Sequence, residues 1–283
     1  MPSINSDNDL PNLLNAPTKQ VVVQFRTERL DLDAFKTARR ALGEHIVPQV
    51  GALNDEEPEA EGAWAYWLTK LPGKMWLHGV ASKGAEGRIA VNKSLGRLFA
   101  QGRLANDSGE AVVSTVRPHL DAILASSINE IMPYRQMLLG FHDKLDEIAK
   151  LPLWVTHYDL NAVNVLIDED CKVSGLIDWE LSKPKPFSVV FGRIHTIAGE
   201  FTGGEFWMPD EFEDAERGFW RELFDGLPQK TRAMLEKNID LVQEAVILGT
   251  LLDAFFWEDG KVGCGQVTIK ALPKFITYRI PLG

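Results

Sequence analysis

Residues Val155–Leu181 read VTHYDLNAVNVLIDEDCKVSGLIDWEL, and the fold turns on how they are paired. His157 and Asp159 precede a short apolar run, with Asn164 following Asp159 inside the same loop. The runs Val163–Asp168 and Lys172–Asp178 flank the turn-forming residues Asp168–Cys171, which is the pattern of a β-hairpin. Antiparallel pairing sets Asp168 opposite Val173 and brings Asn164 beside Asp178 at the open end. Asp159 then sits in the loop just before that end. An amide oxygen and a carboxylate at one strand end suit Mg²⁺, and the further carboxylate is placed to act as a base.

A catalytic-loop Asp, an Asn to metal and a second Asp to metal form the arrangement used in phosphoryl transfer by kinases. In the form H-x-D-L-x-x-x-N followed by I-D-W-E, it resembles the aminoglycoside phosphotransferase and choline kinase family, and looks closest to the branch common in fungi. The resemblance implies an α+β, protein-kinase-like fold of two lobes, the N-lobe small and β-rich and the C-lobe larger and mainly helical. It implies ATP and Mg²⁺ as cofactors. Asp159 would orient the substrate hydroxyl and accept its proton, and Asn164 and Asp178 would hold the metal. His157 joins Asp159 in the catalytic set, with holding the loop through the backbone as its first role. Glu180 either hydrogen-bonds the loop or faces a cationic substrate. Tyr158 stands where the family commonly has glycine, and its ring either narrows the pocket or packs outward.

The bulk numbers agree with an ordinary globular protein. The 283 residues are 45% apolar and 25% charged, enough for one large domain or two modest ones. A net charge of −10 argues against nucleic acid or an anionic membrane as partner, and leaves room for a cationic small molecule. Cys171 and Cys264 form neither a CxxC pair nor a disulfide framework. The first twenty residues lack the basic and apolar regions of a signal peptide, and Val242–Trp257 is too short to span a bilayer. These features lead to the expectation of a cytoplasmic protein.

Upstream of the hairpin, residues 1–19 read as a loose arm, and Val21–Arg26 as a strand. Leu32, Phe35, Ala38 and Leu42 recur at helical spacing, with Asp31 or Asp33 at the start and Gly43 at the end. Val47–Leu53 and Ala63–Leu71 are strand-like, separated by the acidic turn NDEEPEAE. In the resemblance this is the later part of an N-lobe, ending at a hinge at Pro72-Gly73 where the adenine ring would lie. The lobes divide accordingly at 1–71 and 72–283. Gly79–Arg88 reads as a flexible connector, Val91–Gln101 as a helix, and Ser126–Lys150 as a longer helix kinked at Pro133.

Two expected parts of the phosphate grip are missing. No glycine precedes Gly43, whereas a loop that approaches phosphates closely relies on glycine. Aligned with the family's third N-lobe strand, VVVQF puts Gln24 where lysine usually sits. Gln24 and Arg26 are therefore the candidate nucleotide-binding residues, Arg26 sharing a strand face with Gln24.

Beyond Glu180, the stretches Phe212–Phe224, Gln229–Leu241 and Val242–Trp257 read as helices. Nine acids fall between Glu200 and Asp225 against Arg217 and Arg221, suiting an aminated substrate or simply a solvated helix face. Three functional readings follow. The first is an ATP- and Mg²⁺-dependent phosphotransferase acting on a hydroxyl of a small metabolite, aminated ones included. The second is a pseudokinase-like binding or accessory protein. The third is an enzyme reusing the pocket carboxylates for other acid/base chemistry.

Overall fold

A computed structural model describes residues 20–53, 59–80, 83–277 and 279–281. The N-terminal arm and most of the acidic turn lie outside the described residues.

Strand β1 (Val21–Arg26) leads to helix α1 (Leu32–Leu42), then β2 (Val50–Leu53) and β3 (Trp64–Thr69). The antiparallel order is β1-β3-β2. Asp31 caps α1 by accepting from the amides of Asp33 and Ala34, and Gly43 closes it at φ 103. The apolar stripe of α1, Phe35, Ala38 and Leu42, is buried in the main core together with Tyr66 and Leu68 of β3. The Tyr66 hydroxyl accepts from the Leu30 amide at 2.9 Å, fixing the entry to α1.

The chain leaves this sheet through Pro72-Gly73 and immediately forms β4 (Lys74–Met75). β4 pairs with β6 (Val165–Ile167), which pairs with β7 (Val173–Leu176), so the connection is docked on the hairpin. Gly73 is required there. Its φ is 104, and a Cβ would lie 2.2 Å from Ser174 Oγ and 2.7 Å from the Ile167 carbonyl oxygen. β5 (Leu153–Trp154) leads into the Asp159 loop and pairs with β8 (Lys185–Pro186) beyond the hairpin.

The C-lobe is mainly helical. Helix α2 (Gly84–Phe99) packs against α5 (Phe212–Asp225), while α6 (Gln229–Lys237), α7 (Ile239–Ala254) and α8 (Gln266–Phe275) complete that side. The expected connector at Gly79–Arg88 is partly helix: α2 already begins at Gly84. The expected single helix over Ser126–Lys150 is broken. Residues Asn129–Tyr134 form a 3₁₀ turn containing Pro133, α3 runs from Arg117 to Ala125 before it, and α4 (Arg135–Asp143) follows. Proline lacks the amide an α-helix interior needs, so the regular helix starts after it. Among the described residues no helix is long and apolar enough to cross a membrane.

Candidate active site

The hairpin forms as expected, with its register moved by one residue. A bulge lies between Leu166 and Ile167, and Val165 pairs with Leu176. The Ile177 amide donates to the Asn164 carbonyl at 3.0 Å, so Asn164 faces Ile177, and Asp178 lies one residue beyond. A slip of one would normally reverse which face each side chain takes. Here the strand ends first: Asp178 has φ 69, a left-handed conformation that breaks the alternation. A strained non-glycine backbone at this point is the kind of feature held in place at functional sites.

The Asp159 loop is built by two asparagines. Asn161 Oδ1 accepts from the amides of Val163 and Asn164 at 2.9 and 3.1 Å, and its Nδ2 donates to the Asp159 carbonyl at 3.1 Å. Asn164 Nδ2 donates to the Asp159 carbonyl at 2.9 Å and to Asp159 Oδ2 at 3.1 Å. With the amide nitrogen committed, the Oδ1 of Asn164 is the atom left for a cation. Asp178 is exposed and makes no hydrogen bond or ion pair among the described residues.

His157 is enclosed behind the loop, 2% exposed. Its Nε2 donates to the Ile177 carbonyl at 2.6 Å, and its ring meets Trp179 edge-on at 4.8 Å. Burial pushes the imidazole below its ordinary value, opposed by the Ile177 hydrogen bond. Nδ1 has no partner. This histidine pins the residue before Asp178 rather than opening to a substrate. Trp179 is fully buried and its indole N–H donates to the Leu176 carbonyl at 2.8 Å.

Sequence reasoning missed the other side of Asp159. Arg193 Nη1 donates to Asp159 Oδ1 at 2.7 Å, and Arg193 Nε lies 3.4 Å from Asp253 Oδ1 on α7. Asp253 within the apolar run of α7 is the available signal, since a buried carboxylate needs a cationic partner. Tyr158 packs into the same cluster: its ring lies 4.7 Å from the Lys185 ammonium and 6.0 Å from the Arg193 guanidinium, and burial pushes its phenol up to about 12.

Of the two candidate nucleotide-binding residues, Gln24 is exposed on β1. Arg26 donates to Glu180 at 2.6 Å, so these two candidates are engaged with one another. The Pro72 carbonyl, at the segment where adenine was expected, accepts from Ser174 Oγ at 2.8 Å.

A cavity of about 550 Å³ opens beside the loop, lined by Trp76, Leu77, Arg88, Asn161, Arg193 and Phe201 among others. Arg88 holds both Glu211, at 2.9 Å, and Glu200 on its rim. Other acids of the 200–225 segment are also paired: Asp214 with Arg217, Glu222 with Arg97, Asp225 with Arg232, and the buried Glu216 with His195. Among the described residues, five of the segment's nine acids thus face an arginine and Glu216 faces His195.

Among the described residues no group of three or more His, Cys, Asp or Glu side chains could hold a metal. Mg²⁺ does not demand one, because it retains waters and binds through one or two protein oxygens together with phosphates. The free Oδ1 of Asn164 and the unpaired carboxylate of Asp178 fit that role.

The model of the phosphotransferase enzyme family matches residues 13–228. Comparison with curated proteins gives no match. Among solved structures, a macrolide 2′-phosphotransferase from Brachybacterium faecium is 16% identical, with 81% of this chain and 79% of that one covered and a TM-score of 0.45. The corresponding figures for a Plasmodium vivax ethanolamine kinase are 12%, 91%, 71% and 0.48. For an aminoglycoside-3′-phosphotransferase of type VIII they are 19%, 80%, 85% and 0.46.

Proposed function

Because the chain belongs to the phosphotransferase enzyme family, we propose that it transfers the γ-phosphoryl group of ATP to a hydroxyl of a small molecule bound in the cavity beside Asp159. The observation that carries this reading is the loop-and-hairpin geometry. Asn161 and Asn164 hold the Asp159 backbone, and the hairpin brings Asn164 and Asp178 to the same end.

In this reading Asp159 accepts a hydrogen bond from the substrate hydroxyl and takes its proton as the oxygen attacks the γ-phosphorus. The new O–P bond forms while the bond to the β–γ bridging oxygen breaks, and that electron pair leaves with ADP. Asn164 Oδ1 and the Asp178 carboxylate would hold Mg²⁺, which when bound neutralises phosphate charge. Asn164 Nδ2, meanwhile, keeps Asp159 in place. The cavity's mixed lining, with Phe201 beside Arg88, Glu200 and Glu211, suits a polar metabolite with an apolar face, aminated ones included.

The test is thermal stability with ATP and Mg²⁺, repeated on Asp178→Ala. A ligand that binds only the folded state raises the melting temperature, and the variant should lose that rise. No shift at millimolar nucleotide would overturn the reading. It would favour instead a binding protein whose lysine position is taken by Gln24 and whose nearby Arg26 is occupied by Glu180.

A further inference from the structure

We propose that Arg193, braced from behind by Asp253, is the positioning residue that aims the Asp159 carboxylate; the inference rests on the phosphotransfer reading above. Asp159 is gripped by one donor on each oxygen, Arg193 Nη1 on Oδ1 at 2.7 Å and Asn164 Nδ2 on Oδ2 at 3.1 Å. Two donors on different oxygens fix the plane of a carboxylate. A carboxylate oxygen accepts more than one hydrogen bond, so both keep capacity for a substrate hydroxyl. Asn164 comes from the same loop and is available to any chain with this hairpin. Arg193 comes from a separate segment, so its place must be set by something else.

That something is α7. Asp253 is nearly enclosed, with its side chain 13% exposed, and its Oδ1 lies 3.4 Å from Arg193 Nε. At that distance the contact is an ion pair, and Nε makes no hydrogen bond among the described residues. The guanidinium is thus held by charge from Asp253 on one side, by the Tyr158 ring on another, and by the short hydrogen bond to Asp159 in front. Lys185, whose ammonium lies over the Tyr158 ring, is a second cation close enough to act on Asp253. Burial holds Asp253 above the ordinary carboxylate range, against the pull of Arg193 and Lys185. The backbone supports the same placement: Gly192 and Gly249 are packed against each other, so the residue before Arg193 rests directly on α7.

A planar guanidinium reaches two carboxylates at once, whereas an ammonium is a point charge that favours one. Lysine at position 193 should therefore restore part of the function and methionine none. A misplacement of about 1 Å in a reacting group costs roughly 100-fold in rate. The expected result for Arg193→Met is a fall of that order in kcat with the KM for ATP unchanged, partial recovery in Arg193→Lys, and a smaller fall of the same kind in Asp253→Asn. The assay is ADP release from ATP and Mg²⁺ with ethanolamine, amino sugars and neutral sugars as acceptors. Equal kcat in wild type and Arg193→Met would overturn the proposal, as would kcat and KM worsening together in step with lost thermal stability. If the wild type releases no ADP with any acceptor, the phosphotransfer reading itself fails. The Asp159–Arg193–Asp253 linkage is then judged by melting temperatures of Asp159→Asn, Arg193→Met and the double variant. Contacting residues give non-additive changes, and additive ones would remove the linkage.

Discussion

Arg26 on β1 and Glu180 after β7 close a 2.6 Å ion pair that joins the small sheet to the residue two past Asp178. Their side chains are 29% and 25% exposed, so the pair is neither a free surface contact nor a buried one. Burial pushes the Glu180 carboxyl up, against the pull of Arg26, which means that desolvation offsets part of the attraction. A double-mutant cycle with Arg26→Ala and Glu180→Ala should give a coupling of about 1 kcal/mol or less. If Arg26 serves the lobe contact rather than nucleotide, Arg26→Ala should leave the ATP- and Mg²⁺-dependent rise in melting temperature intact. Loss of that rise would return Arg26 to the phosphates.

Asp178 carries the second prediction. Its φ of 69 costs a β-carbon-bearing residue roughly 1 kcal/mol or more, a cost that glycine avoids. Asp178→Gly should therefore match or exceed the wild type in thermal stability, Asp178→Asn should come close, and Asp178→Val should fall clearly below. All three should lose the Mg²⁺-dependent nucleotide shift. A substitution that gains stability while losing the ligand response would mark the strain as serving the site.

What the sequence disclosed and what it hid follow from distance along the chain. The Asp159 loop and hairpin were legible because their determinants are local: a run of β-branched residues, an Asp-rich turn, and polar groups at the strand ends. Even so, the register moved by one, because nothing in the run distinguishes a bulge at Leu166/Ile167 from regular pairing. The α1 caps were equally local and fell where expected. Arg193 was not legible, because its contact with Asp159 spans 34 residues and depends on α7 packing behind it. Arg88 was hidden for a related reason. The second half of a stretch read as a flexible connector, Gly84–Arg88, is the start of α2, and its arginine then reaches Glu200 and Glu211, more than a hundred residues away. The acid-rich 200–225 segment is the converse case: a charge count in one window does not show Arg88, Arg97 and Arg232, which folding brings to it from outside.

Acid should weaken the fold through the half-buried His119 and the buried His157. His119 contacts the Phe255 carbonyl at 2.7 Å, and burial lowers its imidazole from 6.5 to about 4. Below pH 6.5 the unfolded chain takes up a proton that the folded chain refuses until about pH 4. The unfolded state thus binds more protons in that interval, and stability falls as pH drops through it. At 1.36 kcal/mol per pH unit, the full interval corresponds to roughly 3 kcal/mol. His157 is displaced in the same direction by its own burial and adds to the effect. Melting temperatures measured from pH 7 to pH 4 should fall steadily, and His119→Gln should flatten the curve. An equal slope in that variant would assign the acid sensitivity elsewhere.

The final prediction concerns the seat of Arg193. A Cβ on Gly192 would lie 2.2 Å from the Gly249 carbonyl carbon, and one on Gly249 would lie 2.1 Å from the Val189 carbonyl oxygen. Both obstacles are backbone, which cannot rotate away. The Thr250 hydroxyl also donates to the Gly192 carbonyl at 2.9 Å, fastening the segment to α7. Gly249→Ala should cost about 1–3 kcal/mol, the usual range for overpacking. Gly140, within α4, is the control: a Cβ there would meet nothing within 4 Å, and Gly140→Ala should gain about 0.5–1 kcal/mol. Separation of α7 from residues 189–192 moves Arg193 away from Asp159, so turnover in Gly249→Ala should fall further than its stability alone accounts for. Assayed well below its melting temperature, that variant should resemble Arg193→Lys, with kcat lowered and KM for ATP preserved. A loss of stability with kcat untouched would show that Arg193 finds Asp159 without the helix behind it.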